Sequence, residues 1–195
     1  MKPGIKMVIV LTVIATLSGG VLSVWDGITS PRIEAHRLRE LKAAITEVLP
    51  HYDSYEEITE GTVTLYVGRK KDRNTPVGVA FRVAGSGFQG KISIMVGVLP
   101  DFSEITGIKV LEQIETPGLG TKIVEDPSNK SDALWFPRQF KGVNIDPLIS
   151  VVKNMKPSKP TEIQAITGAT ISSKAVVRIL NLSIKKAKEV YRSKT

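Results

Sequence analysis

No cysteine occurs anywhere in the 195 residues, and His36 and His51 are the only histidines. The first absence excludes disulfides, thiol catalysis and iron–sulfur clusters held on cysteine. The second leaves too few imidazoles for a histidine-rich metal site. No internal repeat is visible, which argues against solenoids and propellers. Any redox role must therefore reside in a cofactor that needs neither residue, and no catalytic side chain or metal site is expected.

Charge is also missing locally. From Met7 to Trp25 (MVIVLTVIATLSGGVLSVW) there is no charged side chain. At about 1.5 Å per residue, some 19–20 residues of helix cross a hydrocarbon core of about 30 Å. A cleaved signal peptide would need a small-x-small site soon after a short apolar core. Ser18-Gly19-Gly20 is the nearest candidate, but apolar residues continue through Val21, Leu22 and Val24. Trp25 then stands where an interfacial aromatic anchors a spanning helix. A retained single-pass membrane anchor, lying in lipid, is the expectation. Lys2 and Lys6 favour a cytoplasmic N-terminus, whereas Arg32, Arg37, Arg39 and Lys42 pull the other way, so charge does not fix the orientation.

The net charge is +8. Removing residues 1–25, which hold two lysines and no acid, leaves 25 bases against 19 acids, or +6. The bases are scattered apart from Arg69-Lys70-Lys71 and Lys185-Lys186, unlike the clustered basic and aromatic surface of a nucleic-acid binder. No nucleic-acid partner is expected.

Ser30-Pro31 resembles a helix start, with a capping serine before a first-turn proline. Leu38, Leu41, Ile45 and Val48 repeat at helical spacing until Pro50. This run is either a stalk or the first helix of the globular core. Beyond it the pattern shortens to strands: Thr62–Val67 and Val77–Val83, with Lys71-Asp72-Arg73-Asn74 as a polar turn between them. Ile92, Ile94, Val96 and Val98 alternate as in a half-buried strand, and Ile105–Leu111 continues the pattern. An antiparallel sheet of about four strands follows. Residues 115–160 are less regular, and Ser172–Tyr191 reads as a long amphipathic helix. The fold class is α+β. The expected layout is a cytoplasmic tail 1–6, a transmembrane helix 7–25, a helical stalk 26–50 and one domain 51–195.

Three short segments could carry chemistry. Gly85-Ser86-Gly87-Phe88-Gln89-Gly90 matches G-x-G-x-x-G, but that fingerprint must open a helix after a strand. Here the glycines lead into another strand, so a turn is expected, not a nicotinamide site. This also argues against a freestanding flavin reductase. Glu115-Thr116-Pro117-Gly118-Leu119-Gly120-Thr121 is a loop whose glycines would let backbone approach a planar ligand. Thr167-Gly168-Ala169-Thr170-Ile171-Ser172-Ser173 precedes the last helix. Its hydroxyls serve equally as a plain cap or as a phosphate site on the helix amides.

Thr167-Gly168-Ala169-Thr170 resembles the S/T-G-A-T flavinylation motif of the FMN-binding domain family. Gly87-Phe88-Gln89-Gly90-Lys91-Ile92 resembles that family's glycine–aromatic turn, and Glu115–Gly120 its E-T-P-G-L-G loop beside the flavin ring. The family includes the G subunit of the Rnf electron-transport complex and the C subunit of the sodium-translocating NADH:quinone oxidoreductase. The compact length is more similar to the former. The resemblance implies an electron relay in a ferredoxin:NAD oxidoreductase complex that pumps ions across the cytoplasmic (inner) membrane. The flavin domain would then be extracytoplasmic and the other subunits would be partners. It implies FMN esterified through its phosphate to Thr170, installed by a separate flavin transferase that uses FAD and releases AMP. Thr116, Gly118, Leu119 and Gly120 would border the ring. Thr167, Gly168, Ala169 and Thr170 would hold the phosphate, with Ser172, Ser173 and Lys174 assisting from the helix start. Gln164 stands where the transferase motif usually has aspartate. A membrane-tethered flavin sensor or assembly module without electron transfer is the alternative.

Overall fold

The computed structural model describes residues 2–71 and 75–194. It divides into two compact units, Met1–Lys42 and Ala43–Thr195. Helix α1 is assigned from Pro3 to Val48, so only its last turns belong to the second unit. Within the first unit an 18-residue window reaches a mean hydropathy of 2.3; among the described residues, this is the helix long and apolar enough to cross a membrane.

The expected helix start at Ser30-Pro31 does not exist: Pro31 lies inside α1. A mid-helix proline costs about 3 kcal/mol, but extending a formed helix avoids a second nucleation. The hydroxyls that could have capped are used along the helix. Thr29 Oγ1 donates to the Trp25 carbonyl at 2.8 Å, and Ser30 Oγ to Asp26 Oδ1 at 3.1 Å.

The second unit is α+β, built on five antiparallel strands in sequence order: β1 (Ser54–Glu60), β2 (Val63–Lys70), β3 (Thr75–Ser86), β4 (Lys91–Val98) and β5 (Ile105–Gln113). Four of these match the expected strands. The fifth, β1, reads SYEEITE and buries none of its residues fully. It is an edge strand, held by Arg69–Glu56 at 2.9 Å and by Tyr55 packed edge-on to Tyr66. Of the polar turn expected at Lys71-Asp72-Arg73-Asn74, residues 72–74 lie outside the described residues.

Strand β4, between β3 and β5, departs from its half-buried pattern. Seven of its eight residues are buried, Ser93 and Met95 included. Both faces of the sheet are covered. On one face lies the long helix α3 (Thr170–Lys194), whose Val176, Leu180, Ile184 and Ala187 join Phe81, Ile92, Ile94 and Val96 in one core. The opposite face carries a band of glycines, Gly68, Gly78, Gly97 and Gly107, one from each of β2–β5. Side chains at these positions would collide with the segment Val48–Tyr52. A Cβ on Gly97 would lie 2.8 Å from the Val48 carbonyl carbon and 2.5 Å from Thr106 Oγ1; one on Gly107 would lie 3.3 Å from Val48 Cα. Thr106 Oγ1 donates to the Val48 carbonyl, which satisfies an open helix end. The end of α1 therefore rests directly on sheet backbone.

After β5 come a 3₁₀ turn (Gly120–Ile123), a single helical turn α2 (Trp135–Arg138), and two strands the sequence pattern did not indicate, β6 (Ser150–Val152) and β7 (Glu162–Gln164). These pair in parallel, and Asn181 of α3 fixes their approach. Its Nδ2 donates to the Ile149 carbonyl at 2.9 Å, and its Oδ1 accepts from the Ile149 amide at 3.1 Å.

Replacing Gly97 with alanine is expected to overpack the contact with Val48 and lower stability by about 1–3 kcal/mol. Urea denaturation of the two proteins checks this; an unchanged midpoint would remove the glycine band as the reason for the close approach.

Candidate functional site

Three segments singled out in the sequence meet on the edge of the second unit, and one buried side chain joins them. The β3–β4 hairpin turn is closed by the Gly87 amide donating to the Gly90 carbonyl at 2.6 Å. It is a strand-to-strand turn, as expected once the dinucleotide fingerprint is set aside. β5 runs out at Gln113, whose Oε1 accepts from the Glu115 amide at 2.7 Å and turns the chain inward. Glu115 is only 4% exposed. Its Oε1 accepts from the amides of Phe88 and Gln89 at 2.8 and 3.1 Å. Its Oε2 accepts a hydrogen bond from Ser172 Oγ, in the first turn of α3.

The loop beyond Glu115 folds back on itself. The Thr116 carbonyl accepts from the amides of Leu119 and Thr121, both at 3.2 Å, and Thr121 Oγ1 accepts from the Gly118 amide at 3.0 Å. Gly118 has φ +72°, a conformation costly for any residue with a Cβ. Gly120 is buried against Glu115: a Cβ there would lie 2.7 Å from that of Glu115. Thr116 is half-buried, while Pro117, Gly118 and Leu119 face outward.

The third segment enters from β7. Gln164 is tied by its backbone to Gln139, with its amide donating to Oε1 at 2.8 Å. Gly168 takes φ +83°, and a Cβ on it would stand 3.2 Å from Leu119 Cδ2, which brings the two loops into contact. The Ala169 carbonyl accepts from the Ser173 amide at 3.0 Å. The amides of Thr170, Ile171 and Ser172 therefore sit at the open, partially positive end of α3. Thr167 and Gly168 are exposed and Thr170 is half-buried. The hydroxyls of Ser172 and Ser173 point inward. The former donates to Glu115, and the latter accepts from the Ile166 amide at 3.0 Å and donates to the Ala169 carbonyl at 3.0 Å. These serines hold the segment from beneath, and their hydroxyls are engaged there.

The site is an open ledge. Two clefts, of about 590 and 690 Å³, lie elsewhere on the second unit, and neither is lined by Thr116–Gly120 or Thr167–Ser173. Lys174 is exposed and lines the second of them beside Arg178. Around the ledge stand Phe88, Ile114, Leu119 and Ile171, all between 45% and 69% exposed. The chemistry of this donor set suits a flat apolar ring with a phosphate tail. Open amides and a hydroxyl lie at a helix start, and small residues and an exposed leucine lie alongside. The sequence pattern placed Glu115 in a motif without giving it a role. The available signal was an acid heading a glycine-rich loop in a chain with two other small-residue turns to join.

The family profile of the FMN-binding domain matches residues 87–185. The chain is 30% identical to the G subunit of the Na(+)-translocating ferredoxin:NAD(+) oxidoreductase complex of Acetobacterium woodii, over 92% of this chain and 89% of that protein. It is 28% identical to the G subunit of the ion-translocating oxidoreductase complex of Methanosarcina acetivorans, over 92% of each chain. Among solved structures, the C subunit of the Na(+)-translocating NADH-quinone reductase of Parabacteroides distasonis aligns with a TM-score of 0.54 at 21% identity, over 78% of this chain and 83% of that one. NqrC of Shewanella oneidensis aligns with a TM-score of 0.53 at 22% identity, over 71% of this chain and 66% of that one. At that identity the structures establish the fold.

Behind the Glu115 loop, Asp126 fixes the chain after the 3₁₀ turn. Its amide donates to the Ala133 carbonyl at 2.7 Å, Lys122 Nζ lies 3.1 Å from Oδ1, and Trp135 Nε1 donates to Oδ2 at 3.4 Å. The Ser128 hydroxyl and then Lys122, outweighing burial, hold its carboxyl down at about 2, below the ordinary 3.8 of an aspartate. A carboxyl lowered on folding stabilises the native state above its ordinary range, and that contribution disappears as the pH falls from about 4 through about 2. Asp126→Asn should therefore be less stable than wild type at pH 7, with the difference shrinking across that window. Urea unfolding at a series of pH values checks the sign; a gap that widens on acidification would contradict it.

Proposed function

The chain belongs to the FMN-binding domain family, and on that premise we propose that it is the electron-relay subunit of a membrane-bound, ion-translocating ferredoxin:NAD oxidoreductase complex. Its FMN is bonded through the phosphate to Thr170. The name of the Acetobacterium woodii relative supplies the reaction class and the expectation of further subunits as partners. The N-terminal helix supplies membrane association.

One observation carries the assignment to Thr170. That threonine begins α3 on an open ledge, with its side chain half-buried beside three helix amides that lack intrahelical acceptors. A phosphodiester at this point keeps a negative charge at the helix N-terminus, worth about 0.3–1 kcal/mol from the dipole. Gly168 and Ala169 leave room beside it. Thr116, Gly118, Leu119 and Gly120 would border the ring, whereas Lys174, one turn along the helix, lines the separate cleft beside Arg178. Ser172 and Ser173 act from inside by fixing the segment. The bound flavin supplies one- and two-electron redox chemistry, while the protein orients it and sets its electrostatic surroundings.

A separate flavin transferase would install the bond on the Thr170 hydroxyl, with FAD as donor and AMP and the hydroxyl proton released. The flavin domain faces the extracytoplasmic side in this reading, with residues 7–25 as the span and the rest of α1 leading into the second unit. A flavin held by a bond stays in place where free flavin is too scarce for mass action to keep the site loaded.

The full chain made beside a flavin transferase should give a band on a denaturing gel that fluoresces under ultraviolet light. Thr170→Ala should abolish that fluorescence while leaving protein yield unchanged. A band equally bright in Thr170→Ala would move the bond to another residue. A dark wild-type band would remove covalent attachment and favour the membrane-tethered sensor or assembly module without electron transfer.

A further inference from the structure

Glu115 is almost fully withdrawn from water, and its carboxylate is met by donors on both oxygens. The Phe88 and Gln89 amides meet one and the Ser172 hydroxyl meets the other. Those donors come from segments far apart in sequence, the β3–β4 turn and the start of α3. Two neighbouring glycines make the arrangement possible. Side chains at Gly87 and Gly120 would run into the Glu115 carboxylate, the latter lying 3.0 Å from Oε2. Phe88, whose amide is held this way, is 57% exposed at the rim of the ledge.

We infer that Glu115 is a positioning residue that latches the glycine turn Gly85–Gly90 to the first turn of α3. Through this latch Phe88 and Gln89 become part of the site that presents Thr170. The inference extends the FMN assignment and rests on it for the cofactor, but the latch itself is a property of the polypeptide. What the latch needs is reach: one carboxyl group must meet a hairpin turn on one oxygen and a helix on the other. Glutamine has the same reach. Its carbonyl oxygen can accept both amides, and its NH₂ can donate to Ser172 Oγ. Aspartate keeps the charge but is one methylene shorter, and cannot engage both partners without moving the backbone.

The test compares Glu115→Ala, Glu115→Asp and Glu115→Gln in the full detergent-solubilised chain. Amide hydrogen exchange over residues 85–90 and 173–177 is measured before flavin is attached. Covalent flavin yield and visible circular dichroism of the flavin are measured after treatment with the transferase and FAD. The latch predicts exchange about tenfold faster in both segments for the alanine and aspartate variants. It also predicts reduced flavin yield and altered dichroism in these two, with glutamine restoring all three readouts. Thermal unfolding identifies any variant that does not fold. The aspartate and glutamine pair still decides the matter if alanine fails. Unchanged exchange in Glu115→Ala would overturn the inference, as would rescue by aspartate and not by glutamine, which would make charge the requirement. A wild-type chain that takes no flavin, yet shows the exchange pattern, would sink the cofactor assignment and leave the latch standing.

Discussion

A carboxylate taken out of water must be met by donors, and Glu115 is met by three drawn from two other parts of the chain. Hydrogen bonds to a charged group contribute about 1.5–3 kcal/mol each, and a buried charge left without them costs at least as much. The three segments of the ledge are therefore interdependent. If the glycine turn is displaced, Glu115 loses two donors. If α3 is displaced, it loses the third. The shape of the ledge follows from satisfying this one group. The small residues around it, Gly87 and Gly120, are the positions where a side chain would compete for the same space.

The sheet supplies the fixed frame against which that junction is held. With α3 on one face and the end of α1 pressed onto glycine backbone on the other, β4 is buried along almost its whole length. A strand covered on both sides has no freedom to slip, because a one-residue shift would exchange its two buried faces. The β3–β4 turn extends from this strand, so Phe88 and Gln89 inherit its rigidity. Asn181 performs a similar office at the other end, binding the β6 approach to α3 through both polar atoms of its amide.

Much of this was legible in the residues, and the failures have identifiable causes. β-branched runs at two-residue spacing located β2–β5. The last helix announced itself through Val176, Leu180, Ile184, Ala187 and Tyr191. β1 was invisible because an edge strand buries little, and its glutamates read as loop. β6 and β7 are three residues each, too short for any period to register. Alternation in β4 suggested one wet face, since Ser93 and Gly97 look solvent-facing; Gly97 is covered by the end of α1, contributed from far back in sequence, and the Ser93 hydroxyl accepts from Arg82 Nε. Ser30-Pro31 has the chemistry of a helix start, yet the apolar helix before it simply continues. At the site, the glycine and threonine motifs singled out segments that the fold brings together. The pairing of Glu115 with Ser172 is a contact across 57 residues, and no local pattern encodes it.

The openness of the ledge bears on how a cofactor is kept there. Ligands held without covalent bonds are usually enclosed, with some 70–90% of their surface buried. A ring lying against Leu119 and Gly118 has at most one protein face beneath it, because Gly118 and Leu119 point outward and nothing lies within 4 Å of a side chain built on Gly118. The helix end adds about 0.3–1 kcal/mol for the phosphate, less than a tenfold change in affinity, since a factor of ten needs about 1.4 kcal/mol. Neither term would keep an exposed flavin bound at low free concentration. The proposed bond to Thr170 would remove that requirement and free the geometry to serve a different end. The exposed side of the ledge, rimmed by Phe88, Ile114 and Ile171, can then remain accessible to the carriers on either side of the relay. With the proposed attachment, retention and access would be separate functions: the bond would provide the first, and the unroofed ledge the second.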